Sequence, residues 1–460
     1  MNDALLEELR KIAGEDAVLT GNDVEPYVTD WRGVFHGRAR AVVRPSSTQA
    51  VANVVRSCAQ NGTAIVPQGG NTGLAAGATP VDLNDAIVLS LSRMRSVRAL
   101  DPLANTITVD AGCVLSEIHD AALEANRFFP LSLAAEGTAQ IGGLIATNAG
   151  GTAVLRYGTM RALVLGLEAV LPDGRILDGM RALRKDNAGY DWKQLFIGSE
   201  GTLGVITGAV LRLFPKLAQR ATALLSFPTL EDVLRAFESL QEKLGDTVEA
   251  YELFSDVAVG LRVAYEPGLV IPMERRPWYL LVEAASTLPG VHDAAEAAFA
   301  TLLDEQIAAD CVLATSSKQA DALWEWRETI SENEKRTGPS VKHDVSVPIS
   351  DIPEFVSIAS ETVKREFPGT RALVFGHVGD GNVHFNVLLP ADESVPATRV
   401  NAVVHALVAG YRGSITAEHG IGRYRRDELP EHRSPAEMDL MRTVKHAIDR
   451  HHVMNPGAVL

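Results

Sequence analysis

Two histidines lie in an apolar segment late in the chain, at a spacing that suits metal chemistry. The segment Ala372-Leu-Val-Phe-Gly-His-Val-Gly-Asp-Gly-Asn-Val-His-Phe-Asn-Val contains His377 and His384 with Asp-Gly between them. This dipeptide between apolar runs is among the strongest short signals for a β-hairpin. If Asp380 and Gly381 form the turn, the histidines face each other with Cβ atoms about 5 Å apart. Two imidazoles so placed can bind one divalent metal ion, with zinc the commonest choice.

A carboxylate further along the chain offers a third ligand. In Thr416-Ala-Glu-His-Gly-Ile-Gly, Glu418 stands beside His419 in a glycine-bounded turn. Two histidines and one glutamate leave positions open for a substrate, as catalytic zinc sites do. The alternative is an ion pair between Glu418 and a nearby arginine, and residue spacing does not separate the two interpretations. The arginines concerned are Arg423, Arg425 and Arg426.

Glycine-rich loops mark the N-terminal half of the chain. Gln68-Gly-Gly-Asn-Thr-Gly-Leu follows a predicted strand, and its glycines allow backbone N–H groups to turn toward a phosphate. A second loop, residues 136–151, consists mostly of small residues, against which a flat ring or a diphosphate can lie. One such loop is equally well explained as a turn, but two favour a large nucleotide. Neither a Rossmann dinucleotide signature nor a P-loop signature occurs.

The predicted elements indicate an α+β fold. From about residue 30 to 214, short β-type runs alternate with glycine-rich turns and with helical patterns over residues 48–60 and 114–126. Longer amphipathic helices, such as the one predicted over residues 319–333, then alternate with strands. We expect a first domain over residues 1–215 and a second over 216–412, a cap on the first. Residues 413–460 are expected to pack back on the first domain.

Composition excludes several classes of protein. The chain has 460 residues, of which 46% are hydrophobic and 22% charged, as in an ordinary globular protein. Its formal net charge of −15 and the lack of basic runs argue against a nucleic-acid partner. Three widely spaced cysteines cannot form a disulfide framework. No apolar run approaches the ~20 residues of a membrane span, and the N-terminus is unlike a secretory signal, so we expect a cytoplasmic protein.

The glycine-rich loops carry a family resemblance. Together with Tyr157-Gly and Asp191-Trp-Lys-Gln-Leu-Phe-Ile-Gly-Ser-Glu-Gly-Thr-Leu-Gly-Val-Ile-Thr, they resemble, in order and spacing, the FAD-binding domain of the vanillyl-alcohol oxidase and p-cresol methylhydroxylase superfamily. The resemblance covers essentially the whole chain and implies FAD as cofactor. Members with covalent flavin often have a histidine where this chain has Asn71, so noncovalent FAD is implied. The residues that the resemblance assigns to FAD are Pro67, Gly69, Gly70, Asn71, Thr72, Gly73, Leu74, Gly137, Thr138, Gly142, Gly143, Thr147, Asn148 and Ile206.

The histidine segments resemble the metal-dependent, FAD-linked D-2-hydroxyacid dehydrogenases of that superfamily. There, the residues matching His377, His384 and Glu418 bind the metal, and the following histidine, here His419, is the base.

Candidate anchors for a substrate carboxylate lie between these motifs. The helical pattern of Trp324-Glu-Trp-Arg-Glu-Thr-Ile-Ser places Arg327 and Ser331 one turn apart on one face. Arginine binds carboxylates through two parallel hydrogen bonds. The alternative is a surface ion pair of Arg327 with Glu328 or Glu332.

A second cation, Lys342, stands in the β-type run Val341-Lys-His-Asp-Val-Ser-Val. In family members that oxidise D-2-hydroxyglutarate, a lysine stands two residues before this aspartate. D-lactate dehydrogenases of the superfamily tend to have a small or neutral residue there. A substrate with two carboxylates benefits from a second cation, and Asn386 is expected on the same face as the histidines.

The resemblance therefore implies oxidation of D-2-hydroxyglutarate to 2-oxoglutarate, with hydride transfer from Cα to the flavin. Two alternatives stay open: another D-2-hydroxyacid substrate (D-lactate, D-malate or glycolate), and a non-catalytic FAD electron-transfer subunit. The sequence leaves open the electron acceptor, which could be an electron-transfer flavoprotein, a quinone or a cytochrome. It also leaves open the metal and the oligomeric state, a homodimer included.

Overall fold

The computed structural model describes residues 4–391 and 395–460. It confirms the α+β class and divides the chain into two compact units. The first unit contains the chain up to Gly151, Tyr157–Lys216 and Glu418–Leu460, and the second contains Thr152–Arg156 and Leu217–Ala417. The second boundary lies at Ala417 and not at the expected Arg412, because Ser414 still forms a β-bridge with Ser346 of the second unit.

The first unit has two sheets and a short ribbon. In spatial order, the first sheet contains Val18–Leu19, Ala41–Val43, Ile87–Ser90 and Ile65–Gln68. The second contains Val97–Asp101, Thr106–Asp110, Val205–Arg212, Val164–Val170 and Ile176–Gly179, and Arg127–Phe128 pairs with Phe214–Pro215. Its α-helices include Ala4–Ala13, Glu25–Val28, Thr48–Gln60, Leu115–Glu124, Ile141–Ala146, Met160–Leu163, Lys193–Phe196 and Pro435–Ile448.

The first sheet positions the first glycine-rich loop. Ile65–Gln68 runs parallel to Ile87–Ser90 and ends where the loop begins. The Gln68 side-chain amide donates hydrogen bonds to the carbonyl oxygens of Tyr27 and Ala78, at 2.9 and 2.8 Å. These bonds close the loop at its base.

The second unit is built on an eight-stranded sheet. Its spatial order is Asp310–Leu313, Gln219–Phe227, Trp278–Ser286, Val248–Ser255, Arg371–His377, Asn382–Leu388 and Ser340–Val341, with Asp344–Ser346 also paired to Asn382–Leu388. Alternation along each strand separates two apolar clusters: Leu280 and Val282 belong to one and Tyr279 and Leu281 to the other. Its helices include Leu230–Leu244, Asp256–Tyr265, Val291–Asp304, Ser317–Glu328, Ile330–Thr337, Ile352–Glu366 and Ala397–Gly410. None of the helices in the described parts of the chain is both long and apolar enough to cross a bilayer.

Two local predictions need correction. The single helix predicted over residues 319–333 is two helices, because the chain turns at Thr329, whose φ and ψ are −79° and −4°. The predicted hairpin of Arg371–His377 and Asn382–Leu388 is present, but His384 lies opposite Phe375 and not opposite His377. The turn is longer than Asp-Gly alone, because Val378–Asp380 form a turn of 3-10 helix before Gly381 at φ 88°. We call these two strands and their turn the histidine hairpin.

A buried carboxylate in the first unit fixes the segment that follows Glu418. The two Glu200 oxygens accept the backbone N–H groups of Ile421 and Gly422, each at 2.8 Å. Burial raises the pKa of Glu200 to about 7, against the opposing effect of these donors and of Arg423. Further along, the Lys445 ammonium donates to the fully buried Asp449 carboxylate at 2.6 Å. The C-terminal segment is therefore held by buried polar contacts.

The raised pKa of Glu200 predicts a loss of stability as the pH rises. An unfolded glutamate has a pKa of about 4.3, so between that value and about 7 the folded chain binds the extra proton and its free energy of unfolding falls with increasing pH. Glu200→Gln removes this titration. The melting temperature of the wild type minus that of Glu200→Gln should therefore decrease from about pH 5 to about pH 8, as circular dichroism would measure.

Glu168→Gln is the matched control in the same unit. Burial acts to raise the pKa of Glu168, but bonds from Arg98, Thr48 and Thr207 outweigh it and hold that pKa below its ordinary value. Its titration therefore lies below the tested range, and the wild-type minus Glu168→Gln difference should stay level. A level or increasing difference for Glu200→Gln would contradict the raised pKa.

Candidate active site

A cavity in the first unit brings together the glycine-rich segments. Predicted residues that line it are Pro67, Gly69, Gly70, Asn71, Thr72, Gly73, Gly142, Gly143, Thr147 and Ile206. We call it the glycine cavity. Its wall also contains Gln140, Glu200 and His419, so the predicted base lies in the same cavity as the predicted flavin loops.

The lining fits a cofactor that lies against bare backbone. A Cβ atom added at Gly73 or Gly143 would meet no heavy atom within 4 Å, so these residues leave open space for a ligand. Gly70 has a different role, because a Cβ there would lie 2.0 Å from the Thr138 carbonyl oxygen. The buried Oε1 of Gln140 has no hydrogen-bond partner among the described residues. An unsatisfied oxygen of this kind calls for an external donor, as the polar groups of FAD would supply.

Four residues assigned to FAD do not line the cavity: Leu74, Gly137, Thr138 and Asn148. Gly137 and Thr138 are exposed. The Asn148 oxygen accepts hydrogen bonds from the Thr159 hydroxyl and the Arg161 backbone N–H, both at 2.9 Å. The Asn148 side chain therefore stabilises the backbone at Thr159 and Arg161. The Asn71 amide donates to the Thr29 carbonyl oxygen at 2.8 Å, which ties the first loop to the N-terminal segment.

Sequence reasoning missed Glu200 as a part of this wall. It stands in Ser-Glu-Gly-Thr at φ 51°, a left-handed conformation that is unusual for a glutamate. A Cβ at Gly420 would lie 2.7 Å from its Oε1, so the carboxylate reaches the backbone only because residue 420 is glycine. Glu200 thereby fixes the turn that contains His419.

In the second unit, the histidine hairpin brings its two imidazoles together. The ring centroids of His377 and His384 are 5.8 Å apart, although the two residues are not directly opposite. Residues two apart share a face of a strand, so His377 lies diagonally across from His384. The His384 ring also packs against the Phe375 ring at 4.8 Å.

A buried glutamate that sequence reasoning missed holds two of the predicted residues. Glu252 has no exposed surface and pairs with His377 across the sheet. Its Oε1 lies 2.5 Å from Nδ1 of His377, and its Oε2 accepts the Nε–H of Arg327 at 2.8 Å. Burial disfavours the charged form of Glu252, but His377 and Arg327 outweigh that effect and hold its pKa below the ordinary value.

The Arg327 contacts differ from the surface ion pair that the sequence left open as the alternative. Neither Glu328 nor Glu332 pairs with it; its carboxylate partner is Glu252, and its guanidinium lies over the Phe375 ring at 5.0 Å. Ser331 is exposed in the following helix, beyond the turn at Thr329. The two residues therefore do not share one continuous helical face.

A second buried glutamate joins the other two predicted substrate residues. Glu334 is fully buried, and its Oε2 accepts the Asn386 amide N–H at 2.9 Å. The Lys342 ammonium lies 3.3 Å from the same oxygen, while about half of the Lys342 side chain stays exposed. Asn386 also accepts the His343 backbone N–H at 3.1 Å. Lys342 and Asn386 thus form one group around Glu334.

Strand Asp344–Ser346 lies beside His384 and is hydrogen-bonded to Ala417. Asp344 is the β-sheet partner of His384, and its carboxylate oxygen lies 3.7 Å from Nδ1 of that histidine. The Ala417 backbone N–H donates to the Asp344 carbonyl oxygen at 3.0 Å. Glu418 is the next residue in the chain. Of the arginines considered as partners for Glu418, Arg423 donates to the Gly77 carbonyl oxygen at 3.0 Å and Arg426 pairs with Asp427.

The missed residues Glu252 and Glu334 share one feature. Neither belongs to a motif with a recognisable spacing: Glu252 stands in the apolar run Ala-Tyr-Glu-Leu-Phe, and Glu334 stands among charged residues in Ser-Glu-Asn-Glu-Lys-Arg. For Glu252, the apolar neighbours in the sequence indicate burial, and a buried charge requires partners, but they do not identify those partners.

Known proteins match the whole chain. The FAD binding domain model matches residues 39–179, and the model of the FAD linked oxidases' C-terminal domain matches residues 216–459. The mitochondrial D-2-hydroxyglutarate dehydrogenase of Bos taurus is 38% identical, over 99% of this chain and 83% of that protein. A Schizosaccharomyces pombe relative, provisionally named a mitochondrial D-lactate dehydrogenase, is 37% identical over 97% of this chain and 86% of its own length.

The fold of the chain also matches that of a solved flavoprotein structure. The crystal structure of p-cresol methylhydroxylase with substrate bound aligns with 99% of this chain and 96% of its own, with a TM-score of 0.79 and 17% identity. At that identity the match concerns the fold alone. The sequence matches confirm the family resemblance, and the chain belongs to the FAD-linked oxidases, in a family that includes D-2-hydroxyglutarate dehydrogenase.

Proposed function

We propose that this protein oxidises D-2-hydroxyglutarate to 2-oxoglutarate, with noncovalent FAD and a divalent metal ion, zinc being our choice. The observation that supports this substrate is the presence of two separate cationic groups in the second unit. Arg327 is positioned by Glu252, and Lys342 is positioned by Glu334. Two such groups suit a substrate with two carboxylates. The 38% identical Bos taurus relative, named a D-2-hydroxyglutarate dehydrogenase, supports the same choice.

We assign His377, His384 and Glu418 to the metal. His377 would bind through Nε2, because its Nδ1 is engaged with Glu252, an arrangement found around many metal-binding histidines. Glu418 directly follows Ala417, which is bonded to the sheet partner of His384. Two histidines and a carboxylate suit zinc, and manganese, cobalt and iron accept the same ligands.

The chain's own residues then have distinct roles. When bound, the metal would lower the pKa of the substrate hydroxyl, and FAD would accept the hydride from Cα. His419, in the wall of the glycine cavity, would take the hydroxyl proton as general base. Arg327 would bind one substrate carboxylate through Nη1 and Nη2, since Nε donates to Glu252. Lys342 and Asn386 would orient the other carboxylate.

D-lactate is the second candidate substrate, favoured by the name of the Schizosaccharomyces pombe relative. D-lactate has one carboxylate and would leave Lys342 unused. D-malate and glycolate are further candidates of the same class. The Bos taurus and Schizosaccharomyces pombe relatives are both named dehydrogenases, so a non-catalytic electron-transfer subunit is not supported.

The acceptor that reoxidises the flavin is proposed to be an electron-transfer flavoprotein, a quinone or a cytochrome. A homodimer likewise stays a prediction.

The Bos taurus and Schizosaccharomyces pombe relatives are named mitochondrial, so the cytoplasmic location expected from the sequence is not supported.

Removing a metal ligand tests the proposal. His377→Ala should reduce kcat with D-2-hydroxyglutarate by about 1000-fold, since metal polarisation of an oxygen contributes several kcal/mol. Flavin content should be unchanged, because the glycine cavity belongs to the first unit. Steady-state kinetics, bound metal by mass spectrometry and flavin absorbance measure these effects.

His451→Ala is the control, because His451 is exposed in the C-terminal segment. It should match the wild type in rate and metal content. A His377→Ala enzyme with wild-type turnover, or with wild-type metal content, would contradict the metal assignment.

Lys342→Met tests the choice of substrate. Removing one charge-assisted contact should lower kcat/KM for D-2-hydroxyglutarate by about 10- to 100-fold, since such contacts contribute about 1.5–3 kcal/mol. The kcat/KM for D-lactate should change little, because that substrate lacks the second carboxylate. Stopped-flow flavin reduction with each substrate measures the ratio.

Lys335→Met is the matched control, since Lys335 is an exposed cation in the same helix as Glu334. It should leave both substrates unaffected. An equal loss for both substrates in Lys342→Met would show that Lys342 supports the structure and does not select the dicarboxylate.

A further inference from the structure

A carboxylate that supports a metal-binding histidine ordinarily contacts that histidine alone. Glu252 contacts two residues, His377 and Arg327. Each of its oxygens is used by a different one: Oε1 by His377 and Oε2 by Arg327. All three residues belong to the second unit. Under the proposed function, one partner binds the metal and the other binds a substrate carboxylate.

Glu252 contacts Nδ1 of His377 and Nε of Arg327, the ring or guanidinium nitrogen closer to the backbone in each side chain. The contact with Nδ1 of His377 makes Nε2 the nitrogen that a metal would bind. The contact with Nε of Arg327 leaves Nη1 and Nη2, which have no hydrogen-bond partner among the described residues, for a carboxylate. The Phe375 ring, 5.0 Å from the guanidinium carbon, further limits the rotation of Arg327. One carboxylate therefore sets the direction in which both groups present their outer nitrogens.

The backbone of Glu252 is paired on both sides within the sheet. It lies in strand Val248–Ser255, every residue of which is buried, between the strands Trp278–Ser286 and Arg371–His377. Glu252 is the sheet partner of His377 on one side and of Leu281 on the other. With sheet neighbours on both sides, the backbone of Glu252 has little freedom to move with either ligand.

We propose that Glu252 is a positioning residue shared by the metal site and the carboxylate anchor, so that its loss weakens binding of both the metal ion and the substrate carboxylate. This inference rests on the proposed function, which assigns His377 to the metal and Arg327 to the substrate. A residue that served the metal alone would leave carboxylate binding unchanged. A residue that served only the fold would change neither affinity in a stable variant.

The experiment compares four variants of the flavin-loaded protein: Glu252→Gln, His377→Ala, Arg327→Lys and Glu283→Gln. Zinc affinity is measured by competition with a chelating dye, and 2-oxoglutarate affinity is measured from the flavin absorbance change at saturating zinc. Neither measurement depends on turnover. Glu283→Gln is the matched control, a buried glutamate of the same sheet whose partners include Thr222 and Trp324.

Glu252→Gln should lower zinc affinity by about 10- to 100-fold, the usual effect of losing an outer partner of a metal ligand. It should also lower 2-oxoglutarate affinity by about 10-fold, equivalent to one charge-assisted contact. His377→Ala should lower zinc affinity, Arg327→Lys should lower only 2-oxoglutarate affinity, and Glu283→Gln should change neither.

The outcomes separate this inference from the proposed function. If His377→Ala keeps wild-type zinc affinity, the metal assignment itself is wrong. If His377→Ala loses zinc affinity while Glu252→Gln keeps either affinity at the wild-type value, the shared role of Glu252 is overturned and the proposed function stands. Should Glu252→Gln fail to fold, Glu252→Asp keeps the charge but is one methylene shorter and cannot reach both partners, so the same two losses are expected.

Discussion

A carboxylate without solvent contact is stable only when donors surround it, and Glu252 is in that position. His377 and Arg327 supply the donors, and they hold the pKa of Glu252 below its ordinary value despite its burial. His377 and Arg327 stabilise the buried charge of Glu252, and the contacts with Glu252 in turn fix the positions of these two side chains. Glu334 is also fully buried, but its two partners, Lys342 and Asn386, both meet Oε2, and its Oε1 has no hydrogen-bond partner among the described residues. The polar groups proposed to meet the substrate therefore contact two buried glutamates, one in a strand of the sheet and one in the helix Ile330–Thr337.

The first unit uses a buried carboxylate in a different way. Glu200 accepts two consecutive backbone N–H groups, those of Ile421 and Gly422, and so fixes a turn and not a side chain. This contact needs Gly420, where any side chain would collide with the carboxylate. His419 gains a defined place in the wall of the glycine cavity. In both units, a carboxylate fixes the position of residues that do the proposed chemistry.

Much of the fold could be predicted because the signals are local. The helix over residues 48–60 has the predicted bounds, since Ser47 caps it and its apolar residues recur at helical spacing. The Asp-Gly signal correctly predicted a hairpin, but its register depends on the extra 3-10 turn at Val378–Asp380, which the dipeptide does not encode. Glu252 and Glu334 could not be predicted, because their roles depend on partners 75 and 52 residues away, Arg327 and Asn386. Motif spacing describes neighbours in the chain, whereas burial of a charge depends on neighbours in space.

We propose that this chain oxidises a dicarboxylic D-2-hydroxyacid at a metal-dependent flavin site. The most direct test mixes the wild-type protein anaerobically with D-2-hydroxyglutarate or D-lactate and follows the flavin absorbance, before and after chelator treatment and after zinc is restored. We expect fast bleaching by D-2-hydroxyglutarate, slow bleaching by D-lactate, loss of bleaching after chelation and recovery with zinc. Bleaching by D-2-hydroxyglutarate that survives complete metal removal, or bleaching by D-lactate alone, would contradict it.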